Sequence, residues 1–136
     1  MTTVVLGLDG AGFELLDSWL GDPLENLGRV RSDGIAADLR PCYPPVTCPN
    51  WQCYAKSMNP GKLGIFWWER IDPSTREIEN KSAATDFDGE FFWDYLHEPR
   101  AILNLPTSFP PAATDGVHVA GGPGAEQTGY STPSEF

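Results

Sequence analysis

Histidine and lysine are scarce in this chain of 136 residues, which has only His97 and His118 of the first and Lys56, Lys62 and Lys81 of the second. Three cysteines, Cys42, Cys48 and Cys53, form an odd set without CxxC spacing or a nearby histidine pair. That excludes a disulfide framework and a zinc knuckle, and predicts three ordinary, mostly buried thiols. No run approaches the roughly 18 uninterrupted apolar residues of a membrane span. Asp9 breaks the N-terminal apolar run too early for a signal peptide, so the expectation is a cytoplasmic protein. Positive charge is short as well: nine basic residues face 19 acidic ones, for a formal net charge of −10. Such a surface repels nucleic acid and anionic membrane, and neither is expected as a partner. The acids are spread along the chain, among them Asp22, Glu25, Asp38, Glu77 and Asp88, which reads as a solvated face. An acidic, lysine-poor composition of this kind also permits a halophile-like adaptation to high salt.

What is present is apolar and aromatic. Hydrophobic residues make up 40% of the chain, including five Trp and seven Phe, which predicts a globular domain with a real core. Residues 3–8 are rich in Val and Leu and bounded by Gly10 and Gly12, the pattern of a buried parallel strand ending at Asp9. Phe13, Leu16 and Leu20 recur at helical spacing until Gly21 and Pro23 end the pattern. Leu24, Leu27 and Val30 suggest a second short helix stopped by Gly34, and residues 35–39 a second strand. The prolines Pro41, Pro44 and Pro45 keep the chain extended up to Thr47. Residues 50–57 then form a helix with Thr47 as its N-cap and Pro49 in the first turn. An aromatic strand over 65–71, a turn at Asp72-Pro73-Ser74-Thr75 and a returning strand over 76–79 make a hairpin. A helix near 91–96 and strands over 101–105 and 117–120 follow. Residues 121–136, dominated by Gly, Pro, Ser and Thr, offer no further helix or strand, and the expectation is a truncated α/β domain.

Two positions carry chemistry. Asp9 is placed beyond the C-terminal end of the first strand, where open α/β sheets bind ligands, and Thr47 stands at a helix start. From Thr47 to Ile65 the string TCPNWQCYAKSMNPGKLGI keeps an ungapped order of Thr, Pro-Asn, helix, Pro and Gly-Ile. It resembles the nucleophile region of the type I phosphodiesterase/nucleotide pyrophosphatase family, within the alkaline phosphatase superfamily. The upstream LDGAG, the FWDYL at 92–96 and the ILNLPTSFPP at 102–111 are similar to further segments of that family, so the resemblance spans nearly the whole chain.

The resemblance implies an alkaline-phosphatase-like three-layer sandwich with a mostly parallel sheet. Residues 1–65 would carry the motifs, and 66–136 a hairpin, a helix, a strand and an irregular stretch. It implies a phosphate-ester small-molecule substrate, Asp9 as a ligand to a divalent metal, zinc by the resemblance, and Thr47 as both nucleophile and metal ligand. By position alone, Asn50 could hold a phosphate oxygen. The complete family site holds two divalent ions, which stabilise the entering and leaving oxygens. Where the family usually has Thr-Gly at the end of the nucleophile helix this chain has Lys56-Ser57, and Leu63 replaces the common His. The later Asp and His ligands have no counterparts, and His97 and His118 are expected as incidental surface or partly buried residues. The chain alone is therefore expected to be inactive, awaiting a missing C-terminal portion or a second chain. The alternatives are a non-catalytic remnant or binding module, and one half of a split enzyme. A dinucleotide-binding reading of Gly7, Gly10 and Gly12 fails because Leu15 stands where glycine is required.

Overall fold

A computed structural model describes residues 2–19, 24–81, 83–122 and 128–135. The chain divides into two units, Met1–Arg40 and Pro41–Phe136.

The first unit holds two helices, α1 (Phe13–Trp19) and α2 (Glu25–Asp33). Phe13 follows the Asp9-Gly10 turn, and Gly12 accepts from the Leu15 and Leu16 amides to start α1. Arg31 joins the two helices by pairing with Asp17 while its guanidinium sits 5.0 Å from the Phe13 ring centroid. Gly34 ends α2, as its position in the sequence predicts. Leu20, Gly21 and Pro23, expected to finish the first helix, lie outside the described residues. The expected strands do not form: residues 3–8 and 35–39 join no sheet among the described residues. Val4 is 83% exposed and Ile35 99%. An apolar run becomes a strand only when a neighbour takes up its N–H and C=O groups, and neither run has a partner strand among the described residues. None of the described residues before Pro41 is buried.

The second unit has a core. Helix α3 (Thr47–Lys56) buries Cys48, Gln52 and Ala55, a stripe at four- and three-residue spacing, with Pro49 and Lys56 beside it. One side of the core gathers Ala55, Ala84, Phe91, Trp93 and Ile102, and the other Cys48, Leu63, Ile65 and Phe87. The short α4 (Pro60–Leu63) is capped by the Asn59 side chain, which accepts from the Lys62 amide.

The hairpin forms in antiparallel register from β1 (Glu69–Ile71) and β2 (Ile78–Asn80), with Arg70 opposite Glu79. Its turn is organised by Asp72, whose carboxylate accepts from the Ser74 amide and hydroxyl and from the Thr75 amide. Arg76 takes a left-handed conformation, so β2 starts later than the hydrophobic pattern suggests. The expected aromatic strand over 65–71 shortens to its last three residues. Ile65 is instead buried beside Leu63, with its amide bonded to the Pro60 carbonyl.

The second sheet has the order β3 (Arg100–Pro106), β4 (Gly116–Gly121), β5 (Ser131–Thr132). Strands β3 and β4 are parallel, while β4–β5 and the hairpin are antiparallel. The architecture is thus α/β with helices and small sheets, but not the mostly parallel sheet expected. Strand β5 also corrects the expectation that no strand follows residue 121: Ser131 and Thr132 pair with Val119 and His118 despite their turn-rich surroundings. The expected helix over 91–96 is a 3-10 turn, Phe92–Tyr95, which buries Trp93 stacked on Phe91 at 4.5 Å. No helix among the described residues is long and apolar enough to cross a membrane.

Candidate active site

Asp9 and Thr47 lie in different units, Asp9 in the exposed turn before α1 and Thr47 at the first position of α3. The N-cap is Val46 rather than Thr47, and Val46 makes no side-chain cap hydrogen bond. That corrects the expected capping role of Thr47. Its backbone is already helical, one residue inside the cap position. Thr47 is half-buried, with the fully buried Cys48 and Pro49 directly behind it.

Asn50 is committed at both ends. Its Oδ1 accepts from the Cys42 amide at 2.9 Å and its Nδ2 donates to the Val46 carbonyl at 2.8 Å. The side chain thereby ties the proline-rich approach to the first turn of α3. This is the segment that delivers Thr47.

Behind Thr47 the helix is anchored at three depths. The Cys48 thiol donates to the Lys81 carbonyl at 3.4 Å. Burial, with the Asp86 carboxylate adding to it, pushes that thiol up to about 12. Gln52 Nε2 donates to both the carbonyl and the hydroxyl of Thr107, each at 2.8 Å. Thr107 is fully buried, has a φ of 62° and directly follows β3. The Lys56 ammonium donates to the Phe87 and Gly89 carbonyls at 2.9 and 2.7 Å and lies 4.7 Å from the Phe91 ring centroid. Burial lowers its pKa, an effect that Asp88 and Asp94 oppose. Ser57 then closes the helix in the left-handed region at φ 51°.

The Cys48, Gln52 and Ala55 stripe could have pointed to Gln52, since a polar residue at a core position needs a partner. Its partner, 55 residues away, has no local signal.

The model matching the type I phosphodiesterase/nucleotide pyrophosphatase family covers residues 3–133. The chain belongs to this family. Neither the curated proteins nor the solved structures contain a match to it. The family span takes in both Asp9 and Thr47, as the motif resemblance requires.

The donor set for a metal is thin. A catalytic zinc takes three protein ligands, and no cluster of three or more His, Cys, Asp or Glu exists among the described residues. His97 is exposed, as expected. His118 is fully buried on β4, 6.3 Å from the Trp93 ring centroid and edge-on to it, which corrects the expectation of a surface or partly buried residue. Neither of its ring nitrogens makes a hydrogen bond of normal geometry among the described residues. Burial lowers its pKa, while the nearby Ala112 backbone and Asp94 oppose that shift. A histidine enclosed beside tryptophan is core, and the described residues do not by themselves compose a metal centre.

Proposed function

We propose that this family member hydrolyses phosphate esters, phosphodiesters in particular, with Thr47 as the nucleophile. The supporting observation is the placement of Thr47 at the first position of a ten-residue helix, inside the family span. The first-turn amides and the positive end of the helix dipole suit a phosphate oxygen, and the Thr47 hydroxyl is carried on the same turn. The hydroxyl attacks phosphorus, the ester alcohol leaves, and water then releases the phosphoryl group from Thr47. Asn50 serves this site by holding residues 42–46 in place, since both ends of its amide are engaged with the backbone.

Metal dependence belongs to the same reading, with Asp9 and Thr47 as two oxygen donors to a divalent cation. Further donors would have to come from outside the described residues, so no step is assigned to the cation. The unit built on α3 and the β3–β4 pair would be one portion of an alkaline-phosphatase-like framework.

Hydrolysis of bis-p-nitrophenyl phosphate with added zinc or manganese tests the proposal. Metal-dependent turnover that Thr47→Ala abolishes and Asp9→Asn lowers supports it. Turnover that survives Thr47→Ala refutes the nucleophile assignment. The second reading, a non-catalytic module that keeps the family framework, is favoured by the lack of a three-ligand cluster among the described residues, and a chain inactive with every metal would select it.

A further inference from the structure

All three lysines of the chain gather at one cavity in the second unit. It has a volume of about 250 Å³ and lies between α4, the hairpin and the 86–88 segment. Lys62, Arg70 and Lys81 line it together with Asp86 and Asp88. Lys56 braces the wall from behind, donating to the Phe87 and Gly89 carbonyls on either side of Asp88. The whole chain has nine basic residues against 19 acidic ones, so three cations to two acids inverts the balance locally.

The cations are held in place without being used up by partners. The Lys81 amide donates to the Trp68 carbonyl at 2.6 Å, and the Lys81 carbonyl accepts from the Cys48 thiol at 3.4 Å, which fixes the stem. Its ammonium stands 3.5 Å from Glu79 and 3.8 Å from Asp86, longer than the roughly 2.7–2.9 Å of a direct charge-assisted bond. Arg70 gives Nε and Nη2 to a single oxygen, Glu79 Oε2, which leaves Nη1 outside that pair. Lys62 enters no ion pair among the described residues. Of the two acids, Asp86 spends Oδ2 on the Ala83 amide, while Asp88 is exposed.

We propose that this cavity binds the phosphate monoester of a short polyol, with the phosphate on Lys62, Arg70 and Lys81 and a hydroxyl donating to Asp88. A phosphate monoester carries a charge of about −1.5 to −2 at neutral pH and accepts from several donors at once. Arginine offers it a planar fork, and the lysines add two point charges on flexible stems. The acids beside these cations weaken the hold on bare phosphate and favour a ligand that also brings hydroxyl donors. The volume lies below the roughly 300 Å³ at which pockets for larger ligands begin, which suits a short phosphorylated polyol and is too small for a nucleotide. Asp9, Thr47 and Asn50 do not line this cavity, and binding there does not depend on Thr47 being a nucleophile.

Titration calorimetry of the full chain, at fixed ionic strength and without added metal, tests the site with no measurement of turnover. The probes are glycerol 3-phosphate, inorganic phosphate and glycerol. Glycerol 3-phosphate should bind at one site, inorganic phosphate more weakly, and glycerol not at all. Lys62→Gln and Lys81→Gln should each weaken glycerol 3-phosphate about tenfold, the worth of one hydrogen bond to a charged group. Arg76→Gln removes the same charge from the hairpin turn, outside the cavity, and should leave the affinity unchanged. Asp88→Asn should tighten inorganic phosphate and narrow its gap to glycerol 3-phosphate, a gain that damage to the fold cannot produce. The proposal is overturned if glycerol 3-phosphate binds no more tightly than inorganic phosphate, or does not bind. It is equally overturned if Arg76→Gln costs as much as the two lysine changes, or if Asp88→Asn weakens both phosphates alike.

Discussion

Replacing Gln52 by leucine and by alanine separates hydrogen bonding from packing where α3 meets the end of β3. Gln52 is 1% exposed, donates twice to Thr107, and leaves its own Oε1 without a partner among the described residues. The Thr107 carbonyl fixes the orientation of the amide, because only the nitrogen end can donate to it. Alanine removes both bonds, about 1 kcal/mol each, and empties a space of roughly 60 Å³, worth about 1.5 kcal/mol more. Alanine also removes the orphaned Oε1, which returns about 1 kcal/mol, so the expected loss for Gln52→Ala is about 2–3 kcal/mol. Leucine loses the same bonds but refills the space and removes the orphaned oxygen, a relief of about 1 kcal/mol. Its expected cost is about 1–2 kcal/mol. The Thr107 hydroxyl keeps a partner in both variants, because it donates to the Pro106 carbonyl. Urea denaturation followed by tryptophan fluorescence gives both values, provided the slopes match that of the wild type. Equal losses, or a leucine variant less stable than the alanine one, would show that this joint is not held as described.

Ser57→Gly should raise stability by roughly 0.5–1 kcal/mol in the same assay, since glycine takes the left-handed cap at φ 51° without the Cβ clash. Buried His118 sets a pH dependence of definite sign. Its folded pKa lies below the ordinary 6.5, so the unfolded chain takes up the proton first; stability is complete above about 6.5 and falls as the pH drops through it toward the folded value. Denaturation curves at pH 7.5 and 5.5 should show that decline in the wild type and a smaller one in His118→Leu. Lys56→Met should also destabilise, because the Phe87 and Gly89 carbonyls lose their donor. A melting temperature unchanged from the wild type would contradict that role.

Local chemistry was legible in the chain, and partnerships over distance were not. Proline, asparagine and glycine punctuation located α3, while the short α4 over Pro60–Leu63 was not foreseen where the sequence showed only a helix end. Asp72-Pro73-Ser74-Thr75 located the hairpin turn, and the Val- and Ile-rich runs located β3 and β4. Residues 3–8 and 35–39 were misread because an apolar run shows only that a segment suits a strand, while the ladder depends on a neighbour. Strand β5 was missed for the converse reason, since two residues among prolines and glycines carry no periodicity and pair because β4 offers an open edge. At the candidate site, the motif located Thr47, but its cap assignment slipped by one residue. Asn50 was picked for its position, and the clamp it makes with Cys42 and Val46 depends on the path of the loop before it.

The departures from the family pattern have structural employment in the fold. Lys56 stands where the family usually has threonine, and its ammonium ties the end of α3 to two carbonyls in the 87–89 segment. Ser57 keeps the left-handed conformation that the usual glycine would adopt more easily. Leu63, in place of histidine, is 7% exposed and packs with Cys48, Ile65 and Phe87 in the core directly behind the start of α3. A polar imidazole at that position would need a hydrogen-bond partner in an apolar cluster, whereas leucine needs only volume. Lys56, Ser57 and Leu63 thus each hold or close the helix that carries Thr47 on its first turn. Under the proposed function, Thr47→Ala should separate from the core variants by abolishing turnover while leaving the denaturation midpoint unmoved.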